Sequence, residues 1–119
     1  MDQRKTIQHR SELLAGTLDL MVLKALEALG PLHGYGIARR IEQISEDLVR
    51  LNEGTVYAAL VRLGQQGWIS AKWGASENNR KAKFYSITRA GRKKLAREKE
   101  NWERISGLVV RMLQLEGRG

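Results

Sequence analysis

The sequence predicts a mainly α fold with one small β-hairpin, and three observations predict it. The stretch from Asn52 to Trp73, NEGTVYAALVRLGQQGWISAKW, reads as a helix that runs directly into a strand. At about 100° per residue, Val56, Ala59, Leu60 and Leu63 share one helical face, while Thr55, Ala58, Arg62 and Gln65 fall opposite, so one side is packed and the other free. Two short runs of alternating character follow, separated by turn formers. Near the C-terminus, Leu95, Trp102, Ile105, Val109 and Met112 recur at the 7-, 3-, 4- and 3-residue spacings of a coiled-coil seam. With two helices ahead of it, this order is that of a winged helix-turn-helix followed by a long C-terminal dimerisation helix. The expected divisions are an N-terminal arm or short helix over 1–14, the winged helix-turn-helix over 15–88 and the dimerisation helix over 89–119.

The arm, MDQRKTIQHRSELL, offers only Ile7, Leu13 and Leu14 for burial. His9 has no second ligand type in helical register and reads as a surface side chain rather than a metal ligand. Thr17 is placed to cap a first helix running to about Leu29, where Gly30-Pro31 stops it. Leu18, Met21, Val22, Ala25 and Leu29 form its packed stripe; Leu20 and Leu23 point away from that stripe, as expected of a helix lying between two layers. One layer is the domain core and the other a partner subunit or the terminal helix.

Pro31 to Gly36 reads as a turn, within which His33 is expected to serve a structural hydrogen bond, the alternative being contact with a phosphate. Ile37, Ile41 and Ile44 then recur at i, i+4 and i+7, leaving Arg39, Arg40, Glu42 and Gln43 outside. Leu48, Val49 and Leu51 can tuck inward from the connection that follows. Asn52 is a good N-cap for the third helix, Glu53 suits the positive end of its dipole, and Gly67 ends it. The hairpin alternates Ile69, Ala71 and Trp73 on one strand and Tyr85 and Ile87 on the other, around the tip Gly74–Arg80. A two-stranded hairpin is marginal alone, so Trp68, Trp73, Tyr85 and Ile87 are expected to lean on the helices. Thr88 caps the last helix, which extends to about Leu115, with Leu108 and Leu113 broadening its seam.

At 119 residues the chain holds one domain with an attached helix. Its formal charge is +8, from 21 Lys and Arg against 13 Asp and Glu, which favours nucleic acid or another anionic partner. Placement sharpens this: Arg80, Lys81, Lys83, Arg89, Arg92, Lys93, Lys94 and Arg97 follow one another without an intervening acidic residue. There is no cysteine, which excludes disulfides, thiolate metal sites and cysteine nucleophiles. No stretch approaches the roughly 20 apolar residues of a membrane span, and the charged first ten residues do not lead into a signal-peptide core, so a cytoplasmic location is expected. Two isolated His and no phosphate-binding glycine loop argue against an enzyme, and neither metal nor cofactor is expected.

LHGYGIARRIE, LNEGTVYAALVRLGQQGWI and WGASENNRKAKFYSITRAGRKKL, taken in that order, resemble the PadR family of bacterial transcriptional regulators, in its branch with a single short C-terminal helix. The likeness covers about residues 13 to 97. Two positions depart from the family pattern: Ala58 stands where a Pro usually follows the recognition-helix Tyr, and Gly36 where an acidic residue usually follows Gly-Tyr. The resemblance implies a homodimeric repressor on a pseudo-palindromic operator, in some members released by a small aromatic or drug-like effector at the dimer interface.

On this fold Thr55, Tyr57, Ala58, Val61 and Arg62 are the candidates to meet base edges in double-stranded DNA, Arg62 by pairing with guanine. Arg39, Arg40, Arg80, Lys81 and Lys83 suit phosphates or the adjoining minor groove, and Tyr35, Asn52 and Asn79 complete the expected DNA-binding set. Leu20, Leu23, Leu95, Trp102, Ile105, Leu108, Val109 and Met112 are expected at the homodimer interface, with Trp102 the candidate contact for an aromatic effector. The competing reading is a winged helix used only for protein interaction, without sequence-specific DNA binding.

Overall fold

In the computed structural model, which describes residues 15–117, the chain runs α1 (Ala15–Leu29), α2 (Gly34–Ile44), α3 (Glu53–Gln65), β1 (Ile69–Ala75), β2 (Lys81–Ile87) and α4 (Arg89–Leu113). The arm expected over residues 1–14 lies outside the described residues. Three of the helices begin at side-chain caps that the local sequence dictates. Thr55 N–H donates to Asn52 Oδ1 at 2.7 Å, Gly91 N–H to Thr88 Oγ1 at 3.0 Å, and Gly36 N–H to His33 Nδ1 at 2.9 Å. The last of these shows that α2 starts earlier than its glycines suggest: His33 caps it, and Gly34 and Gly36 lie inside its first turn.

Helix α3 ends in a Schellman motif. Gly67 adopts φ +75°, its N–H donates to the Gly64 carbonyl at 3.0 Å, and the Trp68 N–H reaches the Leu63 carbonyl at 3.1 Å. The turn carries the chain straight into β1, which pairs antiparallel with β2 from Ile69↔Ile87 to Ala75↔Lys81. A further bridge, Leu32↔Tyr85, closed by backbone hydrogen bonds of 3.1 and 2.8 Å, ties the hairpin to the connection between α1 and α2.

The core gathers Leu18, Val22, Leu23 and Leu26 of α1, Ile37, Ala38 and Ile41 of α2, and Val56, Ala59, Leu60 and Leu63 of α3, with Val49, Ile69 and Leu95. Two residues expected at a partner subunit are therefore enclosed by their own chain. Leu23 is only 2% exposed, because α3 and α4 both cross α1 and cover the face that looked spare in the sequence. Leu95 is buried as well, since the first turns of α4 lie on the core before the helix leaves it. Leu20 is half-buried against the same cluster and borders the groove between α1 and α4.

Other expectations reverse in the opposite direction. Ile44 is 73% exposed, because α2 ends there, and Leu48 also faces solvent. Glu46 and Asp47, both with positive φ, turn the chain so that Val49 and not Leu48 enters the core. Trp73 is 59% exposed: of the four hairpin residues expected to lean on the helices it is the one that does not. Farther along α4, Trp102, Ile105, Leu108, Val109, Val110, Met112 and Leu113 stand exposed.

No described helix is long and apolar enough to cross a membrane.

Candidate nucleic-acid interface

The packed face of α3 is the expected one, with Val56, Ala59, Leu60 and Leu63 buried. Its free face is rotated from the expected one. Glu53, Gly54, Tyr57, Val61, Gly64 and Gln65 are the exposed positions, whereas Thr55, Ala58 and Arg62 are half-buried and lie toward a flank. Tyr57, Val61 and Gln65 thus form the outward row at i, i+4 and i+8.

Arg62 is not free on that face. Its guanidinium is held by Asp19 of α1, Nη2 to Oδ1 at 2.7 Å and Nε to Oδ2 at 3.4 Å, with the two side chains 41% and 22% exposed. The arginine expected to pair with guanine is thus engaged by Asp19 in the chain without DNA. A cation on the flank of α3 within reach of a half-buried carboxylate on α1 is drawn to it, and the pair engages both carboxylate oxygens, the second at the longer distance. The sequence signal was absent because the partners are separated by 43 positions.

The hairpin and α3 enclose an open groove of about 570 Å³, bordered on its third side by the start of α2. All three tyrosines of the chain line it: Tyr35 from α2, Tyr57 from α3 and Tyr85 from β2. Tyr35 and Tyr57 are exposed, and Tyr85 is half-buried. Burial first, and the nearby Tyr57 second, push the Tyr85 hydroxyl above the ordinary phenol range, which favours its protonated, hydrogen-bond-donating form. Arg80, Lys81 and Lys83 line the opposite wall. The groove thus combines phenol donors with cations, the chemistry that takes a phosphodiester backbone. Glu53 and Glu77 at its mouth temper that charge.

The remaining candidates are distributed around this groove. Asn52 is committed through its side-chain oxygen to capping α3, which leaves its amide NH₂ as the outward donor. Asn79 occupies the tight turn of the hairpin at φ +59°, next to Arg80, whose backbone N–H donates to Ser76 Oγ at 3.3 Å. Arg39 and Arg40 are exposed on α2 and make long-side-chain contacts to Glu42 at 3.7 Å and Gln43 at 3.2 Å, both easily exchanged for a phosphate. Trp73, read from the sequence as a packing residue, instead carries the ammonium groups of Lys81 and Lys83 over its ring at 5.3 and 5.6 Å. By register it shares a sheet face with Tyr85 and Ile87, yet unlike them it stays exposed.

The candidate dimer and effector positions form a second region. Leu20, Lys24 and Glu27 of α1 and Leu95, Ala96, Lys99, Trp102 and Glu103 of α4 border a groove of about 420 Å³. Ile105, Leu108, Val109 and Met112 continue its apolar wall along α4, and among the described residues nothing covers them. Among the described residues, no group of three His, Asp or Glu side chains is placed to hold a metal ion.

Comparison with known proteins agrees with this architecture. A transcriptional regulator from Clostridium thermocellum superposes with a TM-score of 0.77 at 28% identity, over 87% of this chain and 97% of that one. A PadR-like transcriptional regulator from Bacillus cereus gives a TM-score of 0.75 at 27% identity, over 88% and 99% of the two chains. A 37.1 kDa protein encoded in a transposon of Streptomyces fradiae is 42% identical over 90 residues, and the chain spans about a quarter (24%) of that relative's length. Residues 22–97 match the transcriptional regulator PadR-like family. That match takes in α2, α3, the hairpin and the start of α4, more than half of the chain, which therefore belongs to the PadR-like family of transcriptional regulators, winged-helix DNA-binding regulators rather than enzymes.

Proposed function

We propose that this chain is a homodimeric repressor that binds a pseudo-palindromic operator in double-stranded DNA. The observation that carries the reading is the junction of the free face of α3 with the tyrosine- and lysine-lined groove beside it. In this reading α3 enters the major groove, and Tyr57, Val61 and Gln65 meet base edges there, with Ala58 beside them on the flank. One strand's backbone lies along the groove, against Tyr35, Tyr85, Lys81 and Lys83, and Arg80 with Asn79 reaches the next minor groove from the hairpin tip. Arg39, Arg40, Asn52 and Thr55 hold flanking phosphates, which sets register rather than sequence. Repression then follows from occupancy, because a dimer of this kind covers promoter DNA.

The test is a titration of operator-like duplex across salt concentration. The logarithm of the binding constant is expected to fall linearly with the logarithm of salt, with about 0.9 units of slope for each phosphate contacted. Salt-independent association, or association with a protein and not with DNA, would assign the fold to protein interaction instead.

Dimerisation in this reading uses the uncovered α4 surface of Trp102, Ile105, Leu108, Val109 and Met112, together with Leu20, and excludes the enclosed Leu23 and Leu95. Trp102 is the sensing residue: the groove it borders, about 420 Å³, falls in the roughly 300–1,000 Å³ range of small-molecule sites, and two-fold symmetry would bring a second indole to a planar aromatic ligand. Such a ligand changes DNA affinity only by its preference for one dimer spacing. Planar aromatics are expected to quench Trp102 fluorescence, identified by its loss in Trp102→Phe, and to weaken operator binding. Quenching that leaves operator affinity unchanged would remove the sensing role.

A further inference from the structure

The ion pair between Asp19 and Arg62 joins the one basic residue of the recognition helix to a helix outside the DNA-reading pair. Apart from Glu53 in the first turn, Arg62 is the only charged residue of α3. Guanine is read in the major groove chiefly by arginine or lysine, through paired donors to O6 and N7. Nothing else on α3 can make that contact. The free face is otherwise a phenol at Tyr57, a branched apolar side chain at Val61, a carboxamide at Gln65 and bare backbone at Gly54 and Gly64.

Three features keep Arg62 with Asp19. The pair uses both carboxylate oxygens, at 2.7 and 3.4 Å. Asp19 is only 22% exposed, so a departing guanidinium would leave a partly buried carboxylate without that partner. Arg62 also lies on the flank of α3 that faces α1, roughly 100° around the helix from Val61, so a move to the base edges gives up the pair.

We propose that Asp19 is a positioning residue that determines operator specificity. By holding the Arg62 guanidinium against α1, it withholds the guanine-reading group from the major groove and leaves each half-site to be read by Tyr57, Val61 and Gln65. Val61 presents methyls suited to the thymine C5 methyl, and the Gln65 carboxamide has the donor and acceptor that adenine N7 and N6 require. The inference rests on the DNA-binding reading above and names what kind of half-site that reading implies.

The experiment selects duplexes with randomised half-sites on the full chain and compares the motifs recovered. Wild type, Arg62→Gln and the neutral pair Asp19→Asn/Arg62→Gln are expected to recover the same motif. Asp19→Asn alone, which frees the guanidinium, is expected to add guanine at one position per half-site with roughly tenfold preference, and to steepen the salt dependence by about 0.9 units if the released cation meets a phosphate instead. A merely structural ion pair would lower the melting temperature and leave every motif unchanged. The inference is overturned if Arg62→Gln loses a base preference that wild type shows, or if folded Asp19→Asn recovers the wild-type motif and salt dependence. Should Asp19→Asn fail to fold, the Arg62→Gln motif decides alone. If wild type selects no motif, the DNA-binding reading itself falls, which is distinguishable from a wild-type motif that depends on Arg62.

Discussion

At the scale of single residues, affinity and specificity separate. Arg80 sits exposed at the hairpin tip beside a tight turn, where it can neutralise a phosphate but has no helix to carry it to base edges. Arg80→Ala is expected to weaken binding to all duplexes alike and to reduce the salt slope by about 0.9 units. Tyr57 stands exposed on the reading face, so Tyr57→Ala should change which duplexes are preferred as well as how tightly they bind. Competition assays with specific and unrelated duplexes distinguish the two phenotypes, and finding them exchanged would show that helix and hairpin have the opposite roles. Asn52 acts earlier in the chain of causes. Its side chain satisfies the Thr55 N–H, so Asn52→Ala should cost about 1 kcal/mol in chemical denaturation through the cap alone.

At the scale of elements, the decisive feature is how α4 is attached. Its cap Thr88 donates through its hydroxyl to the Gly67 carbonyl at 2.7 Å and through its N–H to the Trp68 carbonyl at 3.0 Å, so the start of α4 is fastened to the turn that ends α3. Gly91 permits this approach: a Cβ there would overlap the Trp68 carbonyl oxygen and press on Ile87. Lys94 lies over the Trp68 ring at 4.7 Å and covers the joint. The consequence is that the direction of α4 is tied at this joint to the end of the recognition helix, while α1 packs against the first turns of α4. Gly91→Ala is expected to cost about 1–3 kcal/mol in urea denaturation, the range for forcing atoms into a packed site. It should also weaken operator binding beyond what lost stability explains. The hairpin is secured in a different way, by the Leu32–Tyr85 bridge, because two strands alone would be marginal.

At the scale of the whole molecule, α4 carries 25 residues, about 38 Å of helix at 1.5 Å per residue, of which only the first turns rest on the core. The exposed apolar run beyond them calls for a second copy if the chain is a two-fold dimer, and half-sites would then be centred about 34 Å apart, one turn of duplex. Ile105→Glu places a charge in the middle of that run. Sedimentation is expected to show the monomer, together with weakened binding to the full operator and little change on a single half-site. A dimer that survives this substitution would place the interface elsewhere.

Much of this architecture was legible in the sequence because it depends on neighbours within a few positions. Helical period, the caps at Asn52 and Thr88, the stop at Gly67 and the hairpin alternation all arise from residues one to four apart, and the packed face of α3 followed from them. What those short-range rules could not supply is which distant surface covers which face. Leu20 and Leu23 look equally spare on α1, yet only the crossing of α3 and α4 over α1 encloses Leu23. Trp73 has the right alternation to pack and is nevertheless exposed. Arg62 has the right period to read DNA, and Asp19, 43 positions away, takes its guanidinium. The sequence by itself determined the elements, their order and their amphipathic faces, since local sterics and hydrogen bonds act along the chain. Tertiary structure alone decided which charged and apolar side chains remain available to a partner, because that depends on burial and on ion pairs formed across the fold.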